Sequence, residues 1–341
     1  MSSVRRERQP TVIDVAAEAG VAVGTVSRFL RGQPVRDGNR EQIERAIDLL
    51  GYRHNALAAS MKTGEQRMIG FLLPGLSEFH AGLLGEVSQR LRRSDRAVLS
   101  YLHDFDRGSI LEGIDFFRSH RVNSIVLAGV EHVAEDLHRA LRSGVDFVLY
   151  DNDVPGLPAD RAFVEHRKAS REAVEYLLRL GHRRIATIHG MERDSAGRER
   201  LGGYRDAMAA AGISPDPELI VDGGWNEVGG RAAIARLMAL ETPPTAVYSA
   251  NYSMSFGALE WCRDNGVRLP DDLSWVSFDD VPAFCLHSPK ITAVDQRRDN
   301  IAVAIDRLLE GQRLKPGPEH RQEVAVSCDL VIRDSVRAIT P

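Results

Sequence analysis

The first fifty residues place apolar side chains at the three- and four-residue spacing of amphipathic helices. Three such stretches occur, at 11–19, 21–30 and 39–50, and each has the length of a short globular helix. Thr11 followed by Asp14 has the pattern of a capping box, with Asp in place of the usual Glu or Gln. Three short helices with a glycine-containing turn between the first two are typical of a helix-turn-helix unit.

The second of these helices, VAVGTVSRFL at 21–30, is weak by its own sequence. Gly24 lies in its first turn, where glycine costs about 1 kcal/mol relative to alanine. Ala22 stands where a Ser or Asp cap is preferred. We therefore expect the first turn of this helix to serve a purpose other than helix stability.

The stretch NALAASMKTG at 55–64 is short and alanine-rich. An isolated helix of this length is marginal in water, so the sequence predicts a linker that folds only when it packs against another segment. It divides the chain into a headpiece at 1–54, a hinge helix and linker at 55–66, and a core at 67–341.

From Met68 onward, apolar β-branched runs alternate with amphipathic helices. The predicted strands are 68–74, 97–102, 123–129, 146–151, 184–190, 218–223, 245–250 and 273–279. The predicted helices are 81–94, 108–119, 132–143, 167–180, 197–211, 227–239 and 253–265. Such alternation indicates parallel sheets covered on both faces, and two sets of similar size indicate an α/β core of two doubly wound lobes.

The chain is expected to pass between the lobes more than once. AFVEH (162–166) and ITAVDQ (291–296) fall at such passages, and EVAVSCDLVIR (323–333) has the pattern of edge strands. The expected limits are about 67–161 and 292–320 for the first lobe, and about 162–291 and 321–333 for the second.

The formal net charge of −4 is unevenly distributed. Residues 1–62 carry ten Arg and Lys against seven Asp and Glu, a balance of +3, which leaves −7 for the rest. A basic head on an acidic body is expected of a small anion-binding module joined to a larger domain. The N-terminus MSSVRRERQP lacks the apolar region of a signal peptide, and no apolar run is long enough to span a membrane. We expect a cytoplasmic protein.

Motifs for catalysis and for metal binding are missing from the sequence. GxGxxG, GxxxxGK[ST], GxSxG and HExxH do not occur in a usable context. The three cysteines lie far apart, and their spacing fits neither a zinc site nor a disulfide framework. The sequence therefore predicts a protein that is not an enzyme and needs no cofactor.

Ligands in doubly wound sheets bind beyond the carboxyl ends of the strands. The side chains of interest there are 74–79, His103, Asp104, 128–129 and Asp151 in the first lobe, and His189, Trp225, Asn251 and Asp279 in the second. Carboxylates and amides bind hydroxyl groups, and a tryptophan stacks on an apolar ring face. The set favours a cleft for a polar, hydroxylated molecule, although any single Asp or Asn could instead cap the next helix.

The order of these parts resembles the lac repressor/purine repressor (LacI/GalR) family of bacterial transcription regulators. The resemblance rests on TVIDVAAEAGVAVGTVSRFLRG and NREQIERAIDLLGYRHNALAASMKTG, and on LGHRRIATI, RERLGGYRDAM, PPTAVYSAN, LPDDLSWVSFDD and ITAVDQ. It implies a helix-turn-helix headpiece, a hinge helix and a two-lobed core like periplasmic sugar-binding proteins. It further implies homodimers or tetramers that bind pseudo-palindromic operator DNA, with an affinity shifted by a small effector, a sugar or sugar derivative.

The resemblance also implies which residues contact DNA. These are Thr11, Val23, Gly24, Thr25, Ser27 and Arg28 in the headpiece, and Asn55, Ala58 and Met61 in the hinge. Arg28 can bind a guanine or hold a phosphate, whereas Thr25 and Ser27 are expected on phosphates. Met61 stands where the family wedges an apolar side chain, usually Leu, into the minor groove. Gly24 either lets the backbone approach the bases or leaves one base pair unread.

The implied effector-binding residues are Phe79, His103, Asp104, Asp151, Arg200, Trp225, Asn251 and Asp279. The chain departs from the family pattern at Tyr252, where an Asp follows the Asn, and at Ser277, where a Gly is usual. A protein that binds sugar but not DNA, and an enzyme on the same two-lobed fold, are the competing interpretations. The first leaves the basic head without a role, and the second lacks a catalytic constellation.

Overall fold

The computed structural model describes residues 10–30, 32–53, 67–314 and 317–339. The chain forms two compact units, Met1–Arg67 and Met68–Pro341. The predicted hinge residues Asn55, Ala58 and Met61 lie outside the described residues. No helix that the structure describes has both the length and the apolar character needed to cross a membrane.

The part of the first unit that the structure describes contains three helices, α1 (Val12–Glu18), α2 (Val23–Leu30) and α3 (Asp37–Leu50). The capping box predicted at the start of α1 is present, with both of its hydrogen bonds formed. Gly51 ends α3 in the left-handed conformation at φ 59°, which glycine adopts at little cost. A small apolar core holds the helices together, formed by Val15, Ala16, Ala19, Val26, Ile43, Ala46 and Tyr52.

The described residues of the second unit form two six-stranded sheets, each covered by helices. The first sheet comprises β1 (Met68–Leu73), β2 (Ala97–Leu102), β3 (Ser124–Ala128), β4 (Asp146–Tyr150), β5 (Asp160–Val164) and β11 (Glu323–Val326). The second comprises β6 (Ile185–His189), β7 (Ile220–Asp222), β8 (Ala246–Ser249), β9 (Ser274–Phe278), β10 (Thr292–Asp295) and β12 (Asp329–Val331).

Helices connect the strands of each sheet. The first lobe has α4 (Glu78–Arg93), α5 (Arg107–Ser119), α6 (Ala134–Arg142) and α12 (Arg298–Leu314). The second has α7 (His166–Arg179), α8 (Ser195–Ala210), α9 (Glu227–Met238), α10 (Tyr252–Asp264) and the short α11 (Ala283–Leu286). Short 3-10 turns occur at Glu131–Val133, Pro217–Leu219 and Pro318–His320.

Both sheets follow the same doubly wound order. The first runs β11-β5-β4-β3-β1-β2 and the second β12-β10-β9-β8-β6-β7. Every pairing is parallel except that of β12 with β10. The two-lobed α/β core predicted from the sequence is therefore confirmed.

Three strands lie in the opposite lobe from the one expected. The expected limits put 162–164 and 323–326 in the second lobe, but these residues belong to β5 and β11, which pair in the first sheet. Residues 292–295 were expected in the first lobe, but they form β10 beside β9 in the second sheet. An apolar run predicts a strand, whereas the sheet that it joins depends on hydrogen-bond partners distant in sequence. The chain consequently crosses between the lobes near residues 165, 296 and 327.

Helix α12 (Arg298–Leu314) was not among the predicted elements. It follows the second crossing and buries its apolar face in the core of the first lobe. The buried members are Ile301, Ala302, Ala304, Ile305, Leu308 and Leu309. The first lobe is therefore completed by residues near the end of the chain.

Candidate functional site

Helix α2 of the headpiece buries one face and exposes the other. Val26 is fully buried. Among the predicted DNA-contacting residues, Val23, Gly24 and Arg28 are exposed, and Thr25 and Ser27 are half-buried. This arrangement leaves the first turn of α2 and the position one turn further on available to a partner.

The packing of the headpiece does not require a glycine at position 24. A Cβ built on Gly24 would meet no atom of the described residues within 4 Å. The glycine therefore weakens α2 without serving the fold, as the sequence indicated. Thr11 is different, because its hydroxyl lies 2.7 Å from a carboxylate oxygen of Asp14 and serves the cap of α1.

The core contains a cavity of about 400 Å³ at the carboxyl ends of strands from both sheets. Six of the predicted effector residues line it: Phe79, Asp151, Arg200, Trp225, Asn251 and Asp279. His103 and Asp104 are not among the lining residues. Most of the residues predicted at the carboxyl ends of strands therefore line one cavity. Arg200 joins them from helix α8.

Arg200 is the buried centre of this cavity, with 4% of its surface exposed. Its Nη1 donates to the carbonyl of Ala250 at 2.7 Å. The guanidinium lies 3.6 Å from a carboxylate oxygen of Asp151 and 3.8 Å from one of Asp279. It also lies 3.8 Å from the ring centroid of Phe278, in a cation–π arrangement. One cation thus joins a carboxylate from each lobe.

The two carboxylates differ in their environment. Burial would raise the pKa of Asp151, but the neighbouring His166, Arg200 and His80 side chains lower it to about 2. Burial raises the pKa of Asp279, and Arg200 and a hydrogen bond from Gln296 only partly oppose it. Asp151 is therefore a fixed acceptor at neutral pH. One of its buried oxygens, Oδ1, makes no hydrogen bond within the described residues.

Asn251 shows why a single polar residue at a strand end is ambiguous. Its side-chain oxygen caps α10 by accepting from the backbone N–H of Met254 at 2.8 Å. Its Nδ2 donates to the carbonyl of Trp225 at 3.3 Å. The capping role considered for such residues therefore applies to Asn251, which can contact a ligand only through its remaining hydrogen-bonding capacity.

Trp225 forms an apolar wall of the cavity. Its Nε1 donates to Asp194 at 2.9 Å, and its ring packs so closely on Gly190 that a Cβ there would lie 2.1 Å from it. Glycine at position 190 is thus required by the tryptophan. The indole is held in place before a ligand arrives.

Several lining residues were not predicted from the sequence. They are His80, Phe105, Asn152, Met191, Arg193, Asp194, Tyr252 and Gln296. His80 pairs its Nδ1 with the hydroxyl of Tyr150 at 3.0 Å, and burial lowers its pKa. Gln296 follows β10 immediately, so the strand-end rule could have found it had that strand been placed in the second sheet. No group of acidic, His and Cys side chains within the described ranges is arranged to hold a metal ion.

Four of the lining residues adopt the left-handed backbone conformation. Asp151, Trp225, Asp279 and Phe105 have φ values of 58°, 63°, 69° and 57°, in the left-handed region that L-residues other than Asn and Asp seldom occupy. For Trp225 and Phe105 the conformation is strained, and such strain concentrates at binding sites, where the surrounding structure over-determines the conformation. Each of the four residues follows shortly after the end of a strand.

His103 lies behind the cavity wall and not in it. Only 1% of its surface is exposed, and its Nδ1 accepts from the backbone N–H of Phe105, which does line the cavity. Its Nε2 has no partner among the residues that the structure describes. Asp104, next to it, is exposed. His103 therefore supports the loop that carries Phe105.

The pKa of His103 is lowered to about 4, mainly by burial and further by the charge of His80. The charge of Asp104 acts in the opposite direction and raises the pKa. The folded core holds this imidazole neutral, whereas the unfolded chain protonates it below its ordinary pKa of about 6.5. Stability should then fall as the pH falls from about 6.5 to 4. At pH 5, the contribution is a loss of about 2 kcal/mol relative to pH 7. Urea unfolding at several pH values measures it.

The variant His103→Asn removes the titrating group and keeps an oxygen that can accept from Phe105. We expect it to flatten the fall in stability between pH 6.5 and 5. The exposed His320 provides the matched control, since His320→Asn should leave that fall unchanged. Identical pH profiles for the two variants would show that His103 does not titrate as described.

Comparison with known proteins settles the family. The profile for bacterial regulatory proteins of the lacI family matches residues 11–55, and that for a periplasmic binding protein-like domain matches residues 174–336. The HTH-type transcriptional regulator CelR of Thermobifida fusca is 30% identical over 344 residues, covering 97% of this chain and 100% of that protein. The chain belongs to the lacI family. The family predicted from the sequence is therefore confirmed.

Other lacI-family relatives span the same length. The HTH-type transcriptional repressor CytR of Escherichia coli K12 is 28% identical over 350 residues, 99% of this chain and 100% of that protein. The structure of a complex of the regulator CelR with cellobiose is similar with a TM-score of 0.72 at 28% identity, covering 96% of this chain and 99% of that one. A lac repressor dimer bound to operator shares the fold, with a TM-score of 0.85 at 23% identity and coverage of 97% and 100%.

These findings establish the kind of protein. As a member of the lacI family, the chain is a DNA-binding transcriptional regulator. The competing interpretation of a sugar-binding protein without DNA binding is not supported.

Proposed function

We propose that this regulator is a repressor whose affinity for operator DNA is controlled by a small effector bound in the 400 Å³ cavity. The observation that carries the proposal is Arg200, which is buried between Asp151 of the first lobe and Asp279 of the second. A ligand that contacts this centre contacts both lobes. Its binding energy can therefore differ between two arrangements of the lobes, as control of a second site requires.

The chemistry of the cavity favours a sugar or sugar derivative. Asp151 and Asp279 accept hydrogen bonds from hydroxyl groups, and Arg200 donates to ring or hydroxyl oxygens. Trp225 and Phe79 offer apolar faces to the C–H side of a sugar ring. At about 30 Å³ per water molecule, the volume is that of roughly a dozen waters, which is the scale of one sugar ring with its hydroxyls. The relative CelR has been captured with cellobiose.

The DNA-binding surface is proposed to be the exposed face of α2. Val23, Gly24 and Arg28 would face the major groove, with Thr25 and Ser27 on phosphates and Thr11 at the start of α1. Asn55, Ala58 and Met61, outside the described residues, would form the hinge that meets the minor groove. A homodimer would present two such surfaces to a pseudo-palindromic operator in the cytoplasm.

Catalysis forms no part of the proposal. The relatives are transcriptional regulators, and the buried Arg200 lies within 4 Å of both Asp151 and Asp279. We infer that the protein is not an enzyme and acts without a cofactor.

Two measurements test the proposed function. A mobility-shift titration with the promoter DNA of the protein's own gene should give a specific complex that weakens steeply with salt. A thermal-shift panel of sugars, sugar acids, polyols and nucleobases should give at least one compound that stabilises the core, by about 2.7 kcal/mol at a hundred times its Kd. That compound should also change the operator affinity. A protein that binds its promoter no better than unrelated DNA would overturn the proposal.

A further inference from the structure

Tyr252 reaches across the cavity from one lobe to the other. It is the first residue of α10 in the second lobe and lines the cavity. Its hydroxyl oxygen accepts a hydrogen bond from the backbone N–H of Glu78 at 3.0 Å. Glu78 is the first residue of α4 in the first lobe. The tyrosine therefore connects the starts of two helices in different lobes.

The N–H of Glu78 belongs to a group that has no partner within its own helix. The first four N–H groups of an α-helix lack an intrahelical acceptor and require a side chain or water. The cap residue Ser77 accepts from the N–H of His80, which leaves Glu78 to another acceptor. The hydroxyl of Tyr252 supplies it. Helix α4 is thus partly capped by the opposite lobe.

The same arrangement occurs at the other side of the cavity, with the lobes exchanged. Helix α8 of the second lobe follows Asp194, whose side chain makes no capping bond and accepts instead from Trp225. The N–H of Ala196, in the first turn of α8, donates to Oδ1 of Asn152 at 2.9 Å. Asn152 comes from the first lobe. Each lobe therefore caps a helix of the other.

Glu78 is also fixed within its own lobe. Arg298 of α12 donates to the carbonyl oxygen of Glu78 at 3.3 Å and to the carboxylate of Glu86 at 2.8 Å. Tyr252 is braced in turn, because its ring packs edge-on against Phe256 at 5.5 Å. A displacement of the tyrosine ring by a bound molecule would therefore be passed to the start of α4 and not absorbed by a loose side chain.

We propose that Tyr252 is a positioning residue that couples the contents of the cavity to helix α4 through the hydrogen bond from Glu78. The inference goes beyond the proposed function, because it names one contact by which cavity and first lobe communicate. It follows from a departure of this sequence, since an aspartate side chain at position 252 is too short to span the same gap. Separation of the lobes would break both cross-lobe capping hydrogen bonds, those of Tyr252 and Asn152. The two bonds therefore stabilise the arrangement in which the lobes are in contact.

Hydrogen exchange of the backbone amides in the effector-free protein tests the hydrogen bond on which this coupling depends, so its failure is distinguishable from failure of the proposed function. In the full chain, Tyr252→Phe retains the ring and its contact with Phe256 but removes the acceptor. We expect the Glu78 amide to exchange at least about five-fold faster, the factor that corresponds to loss of one hydrogen bond. The melting temperature and the exchange of strand β6 should stay close to those of the wild type.

Tyr176→Phe is the matched control, because it removes a hydroxyl from another half-buried tyrosine of the second lobe that does not line the cavity. It should leave exchange at Glu78 unchanged. An unchanged rate at Glu78 in Tyr252→Phe would refute the coupling, as would equal acceleration in the control. Acceleration spread over β6 would also refute it, because the variant would then merely have loosened its own lobe.

Discussion

Replacing Arg200 by alanine is expected to destabilise the core by about 3–5 kcal/mol, the cost of removing one partner from a buried ion pair. Asp151 and Asp279 would lose the cation that lies within 4 Å of both, Asp279 in a buried position and Asp151 in a largely enclosed one. The carbonyl of Ala250 would also lose its donor. The three tryptophans, Trp225, Trp261 and Trp275, all lie in the second lobe. Urea unfolding followed by tryptophan fluorescence therefore reports on the lobe that carries Arg200.

A surface arginine provides the control for this prediction. Arg231 is 41% exposed and pairs with Glu260 and Asp264, so Arg231→Ala should cost no more than about 1 kcal/mol. Equal losses for the two variants would show that Arg200 is not the buried centre described. Arg200→Lys keeps the charge but loses the planar fork. We expect it to fold while failing to respond to any compound that stabilises the wild type, which separates binding from stability.

Replacing Arg28 by alanine is expected to weaken operator binding by about 1–3 kcal/mol, or about 5- to 150-fold. The side chain is exposed one turn beyond Gly24 on α2, where it can reach a guanine edge with both arms of its guanidinium. Arg28 is not among the core residues of the headpiece that the structure describes, so the variant should fold as the wild type does. Mobility-shift titrations at one fixed salt concentration measure the loss.

The decisive comparison is between operator and unrelated DNA. If Arg28 reads a base, the loss is larger for the operator, whereas a phosphate contact weakens binding to both alike. Arg45→Ala removes the same charge from the exposed side of α3, where the guanidinium bonds to the carbonyl of Glu41. We expect it to affect both kinds of DNA slightly and equally. An Arg28→Ala protein with unchanged operator affinity would exclude Arg28 as a base-reading residue.

Sequence patterns located most of the helices and strands and most of the cavity residues, because these patterns depend on local chemistry. Buried parallel strands are continuous apolar runs, and residues just after them gather at one edge of each sheet. The strand-end rule therefore predicts Asp151, Trp225 and Asp279 in one cleft. It could not assign β10 to its sheet, because pairing partners are distant in sequence, and for that reason Gln296 was missed.

The roles of individual polar residues are harder to predict from the sequence, because these roles depend on hydrogen-bond partners that are distant along the chain. Asn251 has the residue type of a ligand-binding position, yet the structure commits its oxygen to the cap of α10. His103 follows β2 as expected, but its ring faces inward behind Phe105. Tyr252 was noted only as a departure from the family pattern. Its contact with Glu78 joins positions separated by 174 residues, which no local pattern encodes.

The late position of α12 and β11 in the chain has a consequence for biosynthesis. The core of the first lobe includes Ile301, Ile305, Leu308 and Val326 alongside Phe71 and Val126. During translation, strands β1 to β5 are made long before these residues leave the ribosome, so the nascent first lobe exposes an unfilled apolar face while the second lobe is synthesised. The headpiece, built from contacts within its first fifty-odd residues, can fold at once. A premature stop codon before residue 298 would therefore yield a chain with a folded DNA-binding unit and two incomplete lobes, a natural substrate for chaperones and proteases.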